Sequence, residues 1–233
     1  MIKYILWDID GTLLDFSLAE ARSIEASFEE FGLGKPSEEL LENYRQINKS
    51  YWQRLERGEL EKIQVLEGRF YDLFDLYKLD SSLVPDFNKS YQENLGRVAA
   101  FSPYGLEVVK DLKGKYIQLA ATNGTIVAQK GKLKRSGLDQ LLDGIFISDL
   151  VGFEKPDPRF FQAILDEFPQ SKLEEYIIVG DSLTSDIQLS KNCGFKNIFY
   201  NPKGLDLAES QVDYNISDLR QVKEIIEKIN GQE

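Results

Sequence analysis

From about residue 96 onward, short apolar runs of strand length alternate with stretches of helical pattern, and this alternation constrains the fold more than any other feature. The runs lie at 116–121, 144–147, 176–179 and 197–200, and the helical stretches at 105–113, 125–136, 158–168 and 183–193, with a closing helix over 218–229. Strands that are apolar almost throughout have both faces buried, and strands separated by helices pair in parallel. The expectation is an α/β, Rossmann-like parallel sheet with helices on both faces. Residues 3–7 form one further apolar run, followed by Asp8-Ile9-Asp10-Gly11-Thr12, and belong to the same sheet.

Residues 16–95 follow another rule. They are rich in Leu, Glu, Tyr and Phe and hold no convincing strand. Leu40, Tyr44, Ile47, Tyr51 and Leu55 recur at helical spacing behind Ser37, an N-cap type followed by Glu38 and Glu39. Ile63, Leu66, Phe70, Leu73 and Tyr77 repeat the pattern after Gly58. The division predicted is a core of residues 1–15 and 96–233, interrupted after its first strand by a helical domain over 16–95.

Composition then narrows the function. The formal charge of −11 makes nucleic acid polymers and anionic membranes poor partners. The single cysteine, Cys193, cannot form an internal disulfide and suits a reducing cytoplasm. No apolar run is long enough to span a bilayer, and an N-terminus with two aspartates in its first ten residues does not read as a secretion signal. The chain contains no histidine, which excludes Ser-His-Asp and Cys-His catalysis and His-ligated zinc. Proton transfer falls to carboxylates, Lys, Tyr or Cys.

The polar residues gather where each strand ends. Asp8 and Asp10 follow the first run, and Thr122-Asn123-Gly124 the second. Ser148-Asp149 and Glu154-Lys155-Pro156 follow the third, and Gly180-Asp181-Ser182, with Asp186, the fourth. Singly, such residues cap helices and close turns. Together they mark the crevice outside the carboxyl ends of a parallel sheet, where ligands bind. Asp8 and Asp10 stand two residues apart, and like charges at about 4 Å repel by roughly 4 kcal/mol at an effective dielectric near 20. A divalent cation or a shared proton offsets such a cost. The carboxylates Asp8, Asp181 and Asp186 suit Mg²⁺, an oxygen-seeking ion that pairs with substrate phosphate. Lys155 adds a positive charge, and Thr122 and Asn123 offer donors near a helix N-terminus. This is an arrangement for phosphoryl transfer.

In order along the chain, Asp8-Ile9-Asp10-Gly11-Thr12, Thr122-Asn123, Lys155-Pro156 and Gly180-Asp181-Ser182-Leu183-Thr184-Ser185-Asp186 resemble the four motifs of the haloacid dehalogenase-like hydrolase superfamily, specifically its phosphatases. The resemblance covers essentially the whole chain and implies that the helical insertion is a cap domain. It implies that Asp8 is a nucleophile forming an aspartyl-phosphate, and that Asp10 protonates the leaving oxygen and then activates water. Mg²⁺, with Mn²⁺ as a substitute, would be held by Asp8, the Asp10 backbone carbonyl and Asp181, with Asp186 ligating or just behind. Thr122, Asn123 and Lys155 would bind the phosphoryl group.

The stretch from Tyr44 to Trp52, with Gly58 and Gly68-Arg69-Phe70, is similar to the cap of bacterial pyrimidine 5′-nucleotidases, thought to clear non-standard nucleotides. Arg45, Asn48 and Trp52 fall on one flank of their helix. Trp52 could stack on a base, Asn48 hydrogen-bond its edge, and Arg45 or Arg69 meet an anion. Trp52 equally suits cap core and the arginines a solvated face. The expected substrate is a non-standard pyrimidine nucleoside monophosphate. The alternative is another small phosphate ester, such as phosphoglycolate or a sugar phosphate. A dehalogenase has no need of Asp10, and a sugar-phosphate mutase of this superfamily commonly draws a histidine from its cap. A phosphate-sensing module without turnover would not need the Asp8/Asp10 pair, and a structural protein would not gather acids at strand ends.

Overall fold

The structure is a computed structural model and describes residues 1–208 and 211–231. Six parallel strands form one sheet: β1 (Tyr4–Trp7), β2 (Ile117–Thr122), β3 (Gly144–Ile147), β4 (Tyr176–Gly180), β5 (Lys196–Tyr200) and β6 (Tyr214–Ile216). Their spatial order is β3-β2-β1-β4-β5-β6. The first strand in the chain is therefore central, with Trp7 beside Ala120 on β2 and Val179 on β4. The chain order reverses on either side of β1, and in such sheets the crevice opens at this switch point.

Alternation along the strands sorts the core onto two faces. Ile5, Trp7, Ala120, Ile177 and Val179 point one way, into a cluster with Val108 and Leu112 of α5 (Gly105–Leu112) and Val222 and Ile226 of α9 (Gln221–Asn230). Leu6, Leu119, Ala121 and Ile178 point the other way, onto Phe160 and Ile164 of α7 (Pro158–Glu167) and Leu189 of α8 (Gln188–Cys193). The sheet is thus covered on both sides, the arrangement expected of apolar strands buried on both faces. β6 departs from the expectation of five strands. Only Ile216 of its three residues is buried, and it is held by its pairing to β5.

Between β1 and α5 the chain forms α1 (Phe16–Glu30), α2 (Glu38–Glu56), α3 (Lys62–Leu76) and α4 (Val84–Arg97). Ser37 caps α2 by accepting from the Leu40 amide at 3.1 Å. The four helices share an aromatic centre in which Phe70 stacks on Tyr44, ring centroids 5.3 Å apart, and meets Phe87 and Tyr91 edge-on. Each such ring contributes about 1.5–3 kcal/mol by burial. α4 lies directly against α6 (Ile126–Ser136) through a pair of glycines. A Cβ on Gly131 would stand 2.6 Å from the Gly96 carbonyl oxygen, so only glycine permits this backbone contact.

Candidate active site

The crevice opens at the end of β1, between the strand ends and the four-helix bundle. After Trp7 the chain turns within six residues. The Leu14 amide donates to the Ile9 carbonyl and the Gly11 amide to the Leu14 carbonyl, both at 2.8 Å. Gly11 adopts φ +93°, and a Cβ there would stand 2.3 Å from an Asp181 carboxylate oxygen. Glycine is therefore required twice over, for the turn and for the approach of Asp181.

Lys155 is the electrostatic centre. Its side chain is 1% exposed, and Nζ donates to Asp186 Oδ1 at 2.5 Å, to the Ala121 carbonyl at 2.6 Å and to Asp8 Oδ1 at 2.9 Å. Burial draws the ammonium down, but Asp186 and then Asp8 outweigh it and hold Lys155 above its usual range. Thr12 Oγ1 donates to Asp8 Oδ2 at 3.1 Å. Burial pushes the Asp8 carboxyl up to about 7 against the pull of Lys155, and Asp186 adds to the rise. Loss of water around Asp181, and then Asp8 and Asp186, push that carboxyl up too; its surface opens to the crevice, and solvent there tempers the effect.

One oxygen from each of Asp8, Asp181 and Asp186 lies within 4.8 Å of the others. One lysine cannot balance three carboxylates, and an oxygen-only donor set matches a hard divalent cation. The residues present fit Mg²⁺.

Asp10 is held apart from this cluster by α6. Lys132 Nζ donates to its Oδ1 at 2.5 Å and Gln129 Nε2 to its Oδ2 at 2.6 Å. Thr122 lines the crevice, and its Oγ1 accepts from the Gly124 amide at 3.4 Å. Asn123 borders the crevice as well, but its side chain is engaged with Lys155. Asn123 Oδ1 accepts from the Lys155 amide and Nδ2 donates to the Lys155 carbonyl, each at 2.8 Å. Its amide therefore fixes the lysine-bearing loop.

The helical bundle roofs a cavity of about 170 Å³. Trp52 and Arg69 line it together with Asp8, Asp10, Thr122, Asn123, Lys155, Asp181 and Asp186. Arg45 and Asn48 are not in this lining. Asn48 is 3% exposed and bonded to Glu20 and Arg69, while Arg45 pairs with Glu20 and Glu42.

Four further residues belong to the site. Glu56 follows Asn48 and Trp52 at successive intervals of four, so the same helical flank, read one turn further, points to it. It accepts from Thr184 Oγ1, and burial pushes its carboxyl up to about 7. Gln129 and Lys132 continue a polar stripe begun by Thr125 at spacings of four and three. Lys62, at the start of α3, donates to Ser148 Oγ at 2.7 Å and to the Gly124 carbonyl at 3.2 Å, and pairs with Asp149 and, at 3.7 Å, Glu154. It ties the bundle to the loops that carry Asn123 and Lys155; nothing in its local sequence marks it out.

The family profile of haloacid dehalogenase-like hydrolases matches residues 5–200. The chain is 31% identical to pyrimidine 5′-nucleotidase PynA of Streptococcus pneumoniae over 235 residues, 97% of this chain and 98% of that protein. It is also 31% identical to a glyceraldehyde 3-phosphate phosphatase of Pyrococcus furiosus over 244 residues, 100% of this chain and 96% of the relative. The magnesium-bound crystal structure of the HAD-hydrolase YfnB from Bacillus subtilis shares the fold with a TM-score of 0.89 at 27% identity, covering 97% of this chain and 98% of that one. Among the described residues, no helix is long and apolar enough to cross a membrane.

Proposed function

The chain belongs to the haloacid dehalogenase-like hydrolase family and is a phosphate monoester hydrolase, and from that premise we propose that it is a 5′-nucleotidase acting on pyrimidine nucleoside monophosphates through a phosphorylated Asp8. The observation that carries this reading is the placement of a buried, lysine-paired Asp8 and a separately held Asp10 in one crevice that Trp52 also lines.

In the proposed mechanism an Asp8 carboxylate oxygen attacks phosphorus as the bond to the leaving oxygen breaks. Asp10 gives that oxygen its proton. Water then attacks phosphorus, Asp10 takes the water proton, and the acyl-phosphate bond breaks to return Asp8 and inorganic phosphate. Asp10 must change protonation state twice, and the paired contacts from Gln129 and Lys132 fix its orientation for both transfers. Thr122 binds a phosphoryl oxygen, Lys155 binds another by turning to it one of the three protons that serve Asp8, Asp186 and the Ala121 carbonyl, and Asn123 holds the Lys155 backbone. Asp8, Asp181 and Asp186, with the Asp10 carbonyl, would hold Mg²⁺. When bound, that ion supplies charge neutralisation for the phosphoryl oxygens and the carboxylates around them.

The nucleoside choice rests on the roof of the crevice. Trp52 lines the cavity and supplies an indole on which a base can stack, and a roof that excludes water favours phosphoryl transfer to Asp8 over side reactions. The likeness to the Pyrococcus furiosus phosphatase over the full chain favours one other reading, hydrolysis of a small sugar phosphate. A phosphate-release screen of nucleoside monophosphates against triose and sugar phosphates, with Mg²⁺, separates the two. The nucleotidase reading expects kcat/KM to be highest on a pyrimidine nucleotide; a maximum on a triose phosphate overturns it.

A further inference from the structure

Arg69 is an unusual residue to find inside a helical bundle. It is 1% exposed, yet it borders the same cavity as Asp8. Its guanidinium lies 4.9 Å from the Phe70 ring centroid and 5.1 Å from that of Tyr91. Nε donates to the Leu66 carbonyl at 3.3 Å and Nη1 to Asn48 Oδ1 at 2.7 Å. Nη2 is buried and has no partner among the described residues. Buried donors are almost always paired; the hydroxyls of Tyr44 and Tyr91 in the same bundle are likewise buried and unpartnered, but of these three side chains only Arg69 borders the cavity, where a ligand can complete it.

The groups behind Arg69 keep that donor free. Asn48 Nδ2 donates to Glu20 Oε1 at 2.8 Å, and Glu20 Oε2 lies 3.5 Å from Arg45 Nε. Glu20 on α1, Asn48 on α2 and Arg69 on α3 form a relay across three helices. A direct bidentate pair between Glu20 and Arg69 would consume both terminal amino groups of the guanidinium. With Asn48 between them, only Nη1 is used.

The cavity that Arg69 borders identifies what the donor takes. Phe16, Trp52 and Leu95 line the same cavity and are apolar, and Gln92 is engaged, its Oε1 accepting from Thr125 Oγ1 at 2.9 Å. A charged donor together with these apolar side chains suits a flat ring with a single acceptor at its edge. A second phosphate or a carboxylate would require several donors.

We propose that Arg69 Nη2 donates to a ring carbonyl of the leaving nucleoside, and that Asn48 and Glu20 are positioning residues that hold the guanidinium for it. This rests on the nucleotidase reading above and adds the atom that recognises the base and the groups that aim it.

The test uses the full-length enzyme with UMP and p-nitrophenyl phosphate as substrates, and uridine as a competitive inhibitor of p-nitrophenyl phosphate turnover. Arg69→Met is expected to lower kcat/KM on UMP and raise the uridine Ki by about 10- to 150-fold, the worth of a hydrogen bond from a charged donor. Its loss on p-nitrophenyl phosphate is expected to be far smaller. Asn48→Ala leaves Arg69 in place but unpinned; it is expected to raise KM for UMP more than it lowers kcat. Adding it to Arg69→Met is expected to cost UMP turnover nothing further. Guanidinium ion added to Arg69→Ala is expected to restore UMP turnover where equal potassium chloride does not. If Arg69→Met does not fold, Asn48→Ala and its uridine Ki decide. Equal losses on both substrates, or an unchanged uridine Ki in Asn48→Ala and Arg69→Met, overturn the proposal. Failure of the nucleotidase reading itself is visible first and separately, as a wild-type enzyme that does not prefer UMP and is not inhibited by uridine.

Discussion

Replacing Lys155 with methionine keeps most of the side-chain volume and removes the one positive charge that, among the described residues, is in direct contact with the carboxylate cluster. Nζ serves three acceptors, Asp8 Oδ1, Asp186 Oδ1 and the Ala121 carbonyl, and all three lose their donor at once. Asp8 and Asp186 are 7% and 1% exposed, so water cannot take over. Removing one partner of a buried ion pair costs about 3–5 kcal/mol, a large part of a typical total stability of about 5–15 kcal/mol. The chain has one way to lessen that cost, which is to leave a proton on Asp8. That carboxyl already stands at about 7 with Lys155 in place, and without it the value rises further. A protonated Asp8 is not a nucleophile, so turnover at pH 7 falls together with stability. The assay is urea unfolding of the metal-free protein, with phosphate release measured alongside. Asp8→Asn introduced into Lys155→Met is expected to be less destabilising than in the wild type, because it removes one of the stranded charges. A Lys155→Met protein within about 1 kcal/mol of wild type, with strictly additive double-variant energies, would refute the view that Lys155 neutralises this cluster.

Three further outcomes follow from other parts of the molecule. Burial raises the Glu20 carboxyl from 4.5 to about 7, so between those values the folded chain keeps a proton that the unfolded chain has lost. Stability from this group therefore falls as pH rises through that window, by about 3 kcal/mol at most. Thermal melts of Glu20→Gln should gain on wild type from pH 5 to pH 8, and a pH-independent difference would show that Glu20 does not titrate there. Trp52→Ala should lower kcat/KM on a pyrimidine nucleotide by the worth of base stacking, about 1–3 kcal/mol, and much less on p-nitrophenyl phosphate; equal losses would make Trp52 a packing residue only. Gly131→Ala sets a methyl group 2.6 Å from the Gly96 carbonyl oxygen and should force α4 from α6 at a cost of about 1–3 kcal/mol; an unshifted urea midpoint would contradict the closeness of that crossing.

The sheet was legible because its strands are apolar on both faces, so runs such as Ile177–Val179 stand out without any knowledge of their neighbours. β6 was not, because Tyr214-Asn215-Ile216 carries no such run and exists through its register with Ile198, Phe199 and Tyr200. The polar residues that end the strands could be picked out for the same reason as the strands: each is fixed relative to a recognisable run. Helix-borne residues lack that anchor. Periodicity put Arg45, Asn48 and Trp52 on one flank, but it cannot say which of them turns into the bundle. Glu20, which lies on a different helix, draws Asn48 inward and leaves Trp52 at the cavity. Lys132 was equally hidden, since a lysine on an amphipathic helix reads as solvated until Asp10 is seen beside it.

The central claim is that phosphoryl transfer passes through the Asp8 carboxylate, and it can be tested at the level of the bond. An acyl-phosphate is reduced by borohydride to the alcohol, which would convert Asp8 into homoserine, whereas a free carboxylate is left untouched. The enzyme is quenched with borohydride during steady-state turnover of a nucleoside monophosphate, digested, and the peptide containing Asp8-Ile9-Asp10 sequenced by mass spectrometry. The account predicts homoserine at position 8 only when substrate and Mg²⁺ are both present, and none at Asp10, Asp181 or Asp186. Rapid turnover with the conversion absent at residue 8, or found at another carboxylate, would contradict it.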